Sequence, residues 1–386
     1  MRQSRAGFIV RGHDVSLRRQ RSERPIIRPG RVKAPFLLFV PSYGNGGSGE
    51  FVRSVALAQA AQRRWPEARI EFLLPGGPGT RQDAPFPKIC HDGPEDSKGA
   101  FDREHLQRLR PDVAIFDSAC RSPTLRLCRQ LGIRSAYISD REGTCRKAFR
   151  LDWLRTLDAH WHQREHVTGS AFTAAQRLKM RLSSTHRKVF DTYFPEQPAD
   201  WNTLPEPLRE RLAKGYVLFS PGGGGYRIDG RPVSEMFLDA AERVHAAHGV
   251  ECLSLLGSLY EGNAASTRTS TLRQVPQELF LELMRRARVV VTNGGHTLHQ
   301  ALACGAVCVT APLGGDDQPG RIAAYARAGL VRASAPKVDA LVDAVGTLLE
   351  DSGACAAQRR RALNQKISNG IPLMLDAIAE LISSTP

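Results

Sequence analysis

Short apolar runs alternate with amphipathic stretches along the chain from Pro35 onward. Four runs predict buried strands in the first half of the chain: FLLFV (36–40), RIEFLL (69–74), DVAIFD (112–117) and RSAYIS (134–139). Apolar residues at helical spacing fill the intervals between them, near 50–64, 103–109 and 121–131. Because strand, loop, helix and strand repeat in this order, we predict right-handed βαβ units and a parallel sheet covered by helices.

A break in this rhythm divides the chain. Residues 183–213 contain four prolines and many polar side chains, which is typical of a connection between domains. The rhythm restarts with strands predicted at 216–220, 251–256, 288–293 and 306–311 and helices at 233–247, 277–286 and 297–304. We therefore predict an α/β protein of two Rossmann-like, doubly wound domains with parallel sheets. Its predicted parts are a basic tail (1–33), an N-terminal domain (34–200), a linker (201–214), a C-terminal domain (215–368) and a final helical segment (369–386).

The composition is that of a globular protein without a membrane span. Of 386 residues, 41% are apolar and 24% are charged, and every uninterrupted apolar run is far shorter than the ~20 residues that a spanning helix needs. The N-terminus is rich in arginine but has no apolar segment followed by a cleavage site, so we predict a cytoplasmic location. The eight cysteines include no C-x-x-C pair, which indicates reduced, mostly buried thiols.

The positive charge of the chain is concentrated at its N-terminus. Residues 1–33 hold nine arginines and one lysine against Asp14 and Glu23, and so supply eight of the fifteen net positive charges. This tail has no helical or strand periodicity, and we predict that it is disordered. It either tethers the protein to an anionic surface, such as the inner face of the membrane, or has no function. Nucleic acid is a disfavoured partner because no basic surface with interleaved aromatic residues is recognisable.

Three glycine-rich loops follow predicted strands, at the sheet edge where ligands of α/β domains bind. The first, PSYGNGGSGEF (41–51), contains the candidate site residues Asn45, Gly46, Gly47, Ser48 and Gly49. In the second, SPGGGGYR (220–227), Gly223 and Gly224 belong to a run of four glycines that can form an anion nest, and Arg227 adds a positive charge. Glycine is also common in ordinary tight turns, so each loop taken alone is either a ligand-binding loop or a turn without a ligand.

The third loop, TNGGHTLHQALACG (292–305), precedes a predicted helix. Gly294 and Gly295 turn the chain, and Thr297 lies in the first helical turn, where its hydroxyl and the nearby N–H groups can hold a diphosphate. Beyond the next strand, Asp317 and Gln318 have two explanations: they hydrogen-bond sugar hydroxyls, or they cap the helix that follows.

Two aspartates end predicted strands on the same ligand-facing edge. Asp117 ends DVAIFD and Asp140 follows RSAYIS, so either can act as a catalytic base, orient one, or serve a turn. The histidines of HWHQREH (160–166) have metal-ligand spacing, but no cysteine or carboxylate pattern completes a site, and we interpret them as surface or core residues. No metal-binding D-x-D pattern follows a strand, so no metal site is predicted.

The run ARVVVTNGGHTLHQALACGAVCVTAPLGGDDQPGRIAAYARAGL (287–330), preceded by VPQELFLELMRRA (275–287), resembles the donor-binding domain of GT-B glycosyltransferases. It is most similar to the group of the N-acetylglucosaminyltransferase of peptidoglycan lipid-intermediate synthesis. The resemblance implies two domains facing a cleft, a last helix that returns to the N-terminal domain, and a role in cell-envelope or glycoconjugate synthesis. It also implies inverting, metal-independent hexosyl transfer from a nucleotide sugar, with UDP as the expected nucleotide, to an acceptor hydroxyl, without a cofactor. The acceptor stays open, a lipid-linked one included.

The same resemblance assigns roles in the C-terminal half. It implies that Gly294, Gly295, His296 and Thr297 bind the diphosphate of the donor. Asp317 and Gln318 would contact the donor sugar, and Val275 would lie beside the nucleobase. Gln300 stands where these enzymes usually have a glutamate that accepts hydrogen bonds from the ribose hydroxyls. An amide can still accept one such bond, so the nucleotide preference stays open.

The first glycine-rich loop and its helix, GNGGSGEFVRSVALAQAAQRRWP (44–66), resemble the acceptor loop of the peptidoglycan transferase and the opening of the UDP-sugar hydrolase of pseudaminic acid synthesis. Both usually have a histidine where this chain has Glu50. The resemblance places Glu50 near the reacting sugar carbon, so we predict that it is the general base, with a pKa raised by the closed cleft. Alternatively, Glu50 only stabilises its helix through the dipole. A UDP-sugar hydrolase or epimerase and a polyanion-binding protein are the alternative functions.

Overall fold

Two parallel sheets organise the chain from Ala34 onward. The computed structural model describes residues 34–42, 49–76, 85–94, 97–167, 172–197 and 199–384. The predicted basic tail lies outside these ranges, as do Asn45, Gly46, Gly47 and Ser48 of the first glycine-rich loop.

The first sheet has seven parallel strands. They are β1 (Phe36–Pro41), β2 (Arg69–Pro75), β3 (Lys88–His91), β4 (Val113–Asp117), β5 (Arg134–Ser139), β6 (Ala159–Gln163) and β7 (His186–Phe190). The helices of this half are α1 (Gly49–Arg64), α2 (Lys98–Leu109), α3 (Ser122–Gln130), α4 (Glu142–Lys147), α5 (Leu151–Leu154) and α6 (Ala174–Arg181). The spatial order is β3-β2-β1-β4-β5-β6-β7. Every residue of β1 and β4 is buried, because apolar layers cover both faces of the sheet.

The second half repeats this arrangement with six parallel strands. Its strands are β8 (Tyr216–Ser220), β9 (Arg227–Ile228), β10 (Arg231–Pro232), β11 (Glu251–Leu255), β12 (Ser270–Leu272), β13 (Val289–Asn293), β14 (Cys308–Ala311) and β15 (Arg332–Ala333). Its helices are α7 (Glu206–Ala213), α8 (Val233–His248), α9 (Gln277–Arg286), α10 (His296–Ala303), α11 (Gln318–Arg327), α12 (Val338–Glu350) and α13 (Ser352–Asn364). The parallel sheet has the order β12-β11-β8-β13-β14-β15, and β9 pairs with β10 as a small antiparallel hairpin.

The last helix, α14 (Gly370–Ser383), packs on the first sheet. Its buried Met374, Ala377 and Ile378 join the apolar core that α1 shares with that sheet. Residues 201–214, predicted as a linker, contain a 3-10 turn and α7, whose Leu208 and Leu212 are buried in the core of the second sheet.

The predicted fold class is confirmed, since both sheets are parallel and alternate with helices along the chain. The predicted bounds of β5, β8 and α9 agree with the observed ones, because continuous apolar or amphipathic patterns mark these elements. No helix among the described residues combines the length and the hydropathy needed to cross a membrane.

Two strands of the first sheet have no apolar pattern. β6 alternates polar side chains with Trp161, and yet all five of its residues are buried. β7 lies within residues 183–213, which the polar composition assigns to a connection, and the structure corrects this by making 186–190 the last strand of the sheet. As an edge strand, β7 buries only Phe190 completely, so it lacks the continuous apolar run of a central strand.

Candidate active site

A cavity of about 750 Å³ lies between the carboxyl ends of the two sheets. The first half lines it with the start of α1, the turn between β5 and α4, and the residues that follow β6. The second half lines it with the two glycine-rich loops, α10 and the start of α11. Most predicted site residues meet here: Gly49, Glu50, Asp140, Gly223, Val275, Gly295, His296, Thr297, Gln300, Asp317 and Gln318.

Four predicted residues do not line this cavity. Asp117 is fully buried behind its wall, and Gly294 packs on Ile322 and Gln318. Gly224 and Arg227 instead line a second, larger cavity of about 1630 Å³. The Arg227 guanidinium donates to the carbonyl of Gly230 in its own hairpin, at 2.9 Å from Nε.

Glu50 stands in the first turn of α1, only 7% exposed. Burial raises the pKa of its carboxyl to about 7, with the negative charge of Asp140 acting in the same direction and Arg53 opposing it. The guanidinium of Arg141 reaches Glu50 Oε1 at 3.5 Å from the solvent side. Because its pKa lies near neutrality, Glu50 can both hold and release a proton at physiological pH.

Asp140 has the opposite electrostatic balance. Burial alone would raise the pKa of its carboxyl, but a hydrogen bond from His296 and the charge of Arg53 hold it below its usual range. The distances are 3.3 Å from His296 Nε2, 3.4 Å from Arg53 Nη2 and 3.2 Å from Ser118 Oγ. Asp140 therefore stays ionised beside Glu50 at neutral pH.

His296, the first residue of α10, crosses the cavity to meet Asp140. Burial lowers its pKa to about 4 although Asp140 opposes the shift, so the imidazole is neutral at pH 7. If Nε2 carries the proton that is donated to Asp140, Nδ1 is an acceptor, and the described residues offer it no partner. The ring lies directly against Gly49, where an added Cβ would collide with it. Gly49 thus makes room for a side chain of the opposite half.

Arg53 ties three elements of the first half together below Glu50. It is completely buried and donates from Nε to Asp117 Oδ2 (2.8 Å) and from Nη1 to Gln163 Oε1 (2.6 Å). A second bond, from Nη2, occupies the other oxygen of Asp117. The Asp117 carboxylate is therefore fully engaged in holding Arg53 and has no access to the cavity.

The second and third glycine-rich loops converge on the N-terminus of α10. The side chain of Asn293 joins them, because its Nδ2 donates to the carbonyl of Pro221 and its Oδ1 accepts the N–H of Gly295, both at 3.0 Å. Gly222 adopts a φ of 83°, and a Cβ added there would stand 3.6 Å from Thr297 Oγ1. Exposed N–H groups of a helix start, a hydroxyl and a glycine turn form a cradle for an anion.

Three further predicted residues are held by hydrogen bonds at the cavity wall. Asp317 accepts from Arg321 Nη2 at 2.6 Å, and Gln318 Oε1 accepts the N–H of Leu313 at 3.0 Å. Gln300 Nε2 donates to the carbonyl of Tyr193, a residue of the first half, at 3.0 Å. The amide oxygen of Gln300 is its remaining acceptor on the cavity side.

The sequence reading missed a charged contact between the halves, formed by Glu165 and Arg321. Arg321 Nε donates to Glu165 Oε1, and His299 Nε2 lies 3.6 Å from Glu165 Oε2. Burial opposes ionisation of Glu165, but His299 and Arg321 outweigh it and lower its pKa to about 2. Glu165 directly follows β6. A carboxylate after a predicted strand would have indicated a site residue, but the polar sequence of β6 did not predict a strand.

A cluster of Cys145, His160 and His162 lies buried beside β5, with ligand atoms within 4.8 Å of one another. The hydroxyl of Ser139 stands between the two imidazoles, 2.8 Å from His160 Nε2 and 2.9 Å from His162 Nδ1. Arg187 Nη1 contacts His160 Nδ1 at 2.7 Å. A cation would have to displace Ser139 and lie close to Arg187, so we assign the cluster a structural role in the sheet.

Solved GT-B glycosyltransferases share this fold along nearly their whole length. The glycosyltransferase SnogD from Streptomyces nogalater is 14% identical, with a TM-score of 0.58 over 90% of this chain and 100% of that one. UGT89C1 from Arabidopsis thaliana, solved with quercetin, is 13% identical, with a TM-score of 0.60 over 91% and 100%. A protein described as a UDP-N-acetylglucosamine 2-epimerase from Listeria monocytogenes is 13% identical, with a TM-score of 0.55 over 92% and 98%.

The chain therefore has the GT-B fold, and at these identities the likeness concerns the fold alone. No protein-family model and no curated protein sequence matches it. The narrower similarity to the peptidoglycan transferase and to the pseudaminic acid hydrolase stays a prediction from the sequence.

Proposed function

We propose that this protein is an inverting glycosyltransferase that moves a hexosyl group from a UDP-sugar to an acceptor hydroxyl. One observation carries the proposal: a carboxyl group with a pKa of about 7, on Glu50, shares a single cavity with the anion cradle at the start of α10. A group that accepts a proton near neutrality and a site for a leaving diphosphate are the two requirements of such a transfer.

The donor would bind on the second half. Its diphosphate would occupy the cradle of Gly223, Gly295 and Thr297, where N–H groups and the helix dipole offset its charge without a metal ion. Asp317 and Gln318 would face the sugar. The nucleobase would lie toward Val275 at the other end of the cavity.

The nucleotide assignment rests on a residue that differs from the usual pattern. Gln300 Nε2 donates to the carbonyl of Tyr193, and its amide oxygen is the atom that can accept a hydrogen bond from a ribose hydroxyl. One accepted bond suffices to recognise a ribose, and UDP is the nucleotide that the resemblance of the surrounding run suggests.

In the reaction, the acceptor oxygen would attack the anomeric carbon on the face opposite the diphosphate. Glu50 would take the acceptor's proton as the new C–O bond forms, and the diphosphate would leave with the electron pair of the broken bond. Asp140 remains charged and thereby keeps the proton affinity of Glu50 high. Arg53 and Asp117 would act as positioning residues, since they hold the first half of the site without reaching the cavity.

Binding and turnover of UDP-sugars test the proposal. Calorimetry should detect UDP binding, and chromatography should detect UDP release only when an acceptor is supplied from a panel of phenolic, sugar and lipid-linked hydroxyls. Failure to bind UDP and UDP-sugars would overturn the donor assignment. Rapid release of UDP or free sugar without acceptor, or isomerisation of the sugar, would instead support the hydrolase or epimerase alternative.

A further inference from the structure

Helix α6 lies on the surface of the first half without a single buried residue. Four large apolar side chains among the described residues are exposed, and three of them belong to this region: Leu151 (68%), Leu178 (59%) and Leu182 (80%). Leu151 begins α5, and Leu182 directly follows α6. Such a concentration of exposed leucines is typical of a surface that binds another molecule or a membrane.

Two hydrogen bonds hold α6 and the residues after it against the segment that contains α5. Lys179 Nζ donates to the carbonyl of Phe149 at 3.1 Å, and Ser183 Oγ donates to the carbonyl of Leu154 at 3.2 Å. Lys179 therefore marks the inner side of α6, and Ser183 lies two residues beyond the end of the helix. Leu178, within α6, and Leu182, directly after it, are both exposed.

The charge of this segment has one sign. Residues 172–188 contain five arginines and lysines and no aspartate or glutamate. Arg177 and Arg181 are exposed on the outer side of α6, and no ion pair is recorded for either among the described residues. We call the set Leu151, Arg177, Leu178, Arg181 and Leu182 the α6 patch.

We infer that the α6 patch docks on an anionic lipid surface. Leucines next to arginines suit the boundary of a bilayer, where the apolar side chains enter the acyl region and the guanidinium groups pair with lipid phosphates. Nucleic acid would use the arginines but would leave the leucines in water. A two-fold contact with a second copy would cover the leucines but would bring two sets of unpaired arginines together.

The α6 patch consists of residues between 151 and 182 and includes none of the basic residues of segment 1–33. Helix α4, which precedes the patch, contributes Lys147 to the larger cavity. Docking would therefore hold that cavity close to the lipid. The inference stands apart from the proposed function, because lipid binding can be measured without a sugar donor.

Flotation of the full-length protein with vesicles tests the inference. Vesicles of equal parts phosphatidylglycerol and phosphatidylcholine should bind it, and vesicles of phosphatidylcholine alone should bind it about tenfold less, since arginine attraction needs anionic lipid. Replacing Leu178→Gln together with Leu182→Gln should weaken binding about tenfold through lost apolar insertion. Arg177→Gln together with Arg181→Gln should weaken it by about tenfold or more and reduce its salt dependence.

A matched control is the fourth exposed leucine, Leu363 (57%), which lies on α13 of the other half. Leu363→Gln should leave vesicle binding unchanged. A full-length variant with Arg18, Arg19 and Arg21 replaced by glutamine separates the tail from the patch. Circular dichroism and thermal unfolding confirm that each variant is folded.

Three results would overturn the inference. The first is no binding of the wild-type protein to the anionic vesicles. The second is binding that is lost in the tail variant but kept in the leucine and arginine variants of α6. The third is a dimer, seen by analytical ultracentrifugation, that the leucine variants alone dissociate, because a second copy would then be the partner.

Discussion

Glu50 and Asp140 are two carboxyl groups of one cavity whose pKa values move in opposite directions. Burial raises the pKa of Glu50 to about 7, whereas the hydrogen bond from His296 and the charge of Arg53 outweigh burial and lower that of Asp140. Such divergence separates the roles of two chemically similar groups, because one exchanges protons near neutrality and the other stays charged. His296, with a pKa of about 4, is the weaker candidate for the base.

Replacing the proposed base tests its role directly. Glu50→Gln keeps the shape of the side chain but removes its ability to accept a proton, so kcat should fall by about 10² to 10⁴ while the Kd for UDP changes little. Steady-state kinetics and calorimetry measure the two quantities. Glu142→Gln is the control, because Glu142 is 85% exposed at the start of α4. Equal activity of both variants would return Glu50 to a structural role in its helix.

The pH dependence tests the electrostatic coupling between the two carboxyl groups. In the wild-type enzyme kcat/KM should rise with pH through about 7 and then level off, as ionised Glu50 accumulates. The charge of Asp140 raises the pKa of Glu50, so Asp140→Asn should move this rise to lower pH. A profile that stays in place, or moves to higher pH, would contradict the assignment of the base.

At the scale of elements, the start of α10 and the two glycine-rich loops form the anion cradle. Thr297→Ala removes one hydrogen bond to a charged diphosphate, so the affinity for UDP should fall about tenfold, with a smaller change in kcat at saturating donor. Calorimetry measures the loss. Thr347→Ala is the control, since this threonine of α12 does not line the cavity and bonds only the carbonyl of Asp343 and the guanidinium of Arg332 among the described residues. Unchanged UDP affinity in Thr297→Ala would place the diphosphate elsewhere.

The elements that the sequence predicts are those whose burial follows a local pattern. FLLFV and YVLFS are buried on both faces, and their short length and flanking glycine-rich loops favour strands over helices. β6 has no such pattern, because His160 and His162 are tolerated in the core only through Ser139 and Arg187, which come from neighbouring strands. A polar strand inside a sheet is therefore recognised from the structure but not from the pattern of apolar residues along the sequence.

In the candidate site, too, the residues predicted from the sequence are those that a local pattern marks. Its glycines and its strand-end carboxylates stand out in the sequence because their loops follow recognisable strands. The contact between Glu165 and Arg321 joins residues 156 positions apart, so no short sequence motif predicts it. The burial that raises the pKa of Glu50 likewise depends on the opposite half, since His296 packs on the glycine before it.

At the scale of the whole molecule, several polar contacts among the described residues join the two halves around the cavity. Asp140 meets His296, Gln163 Nε2 lies 3.3 Å from His299 Nδ1, and Gln300 bonds the backbone of Tyr193. The Glu165–Arg321 ion pair closes the same seam. Contacts of this kind can separate without exposing a core, which suits a cleft that must admit two substrates.

The Glu165–Arg321 pair should therefore contribute to stability in a way that depends on pH. The pKa of Glu165 is about 2 in the folded protein against 4.5 for an ordinary glutamate. A lowered pKa stabilises the fold above the ordinary value, and the contribution is lost as the pH falls toward the lowered one. Glu165→Gln should accordingly lower the free energy of unfolding by about 2 kcal/mol at pH 7, with a difference from wild type that shrinks as the pH falls from about 5 to about 2.

Thermal or urea unfolding across this pH range measures the difference. Glu282→Gln is the control, because Glu282 pairs with the exposed Arg285 and Arg286 on the surface of α9 and should matter by less than about 1 kcal/mol. If the two variants lose equal stability at every pH, the contact across the cavity is no stronger than a surface pair. The halves would then be held by other contacts, among them the apolar packing of α14, which follows the second half, on α1 and the first sheet.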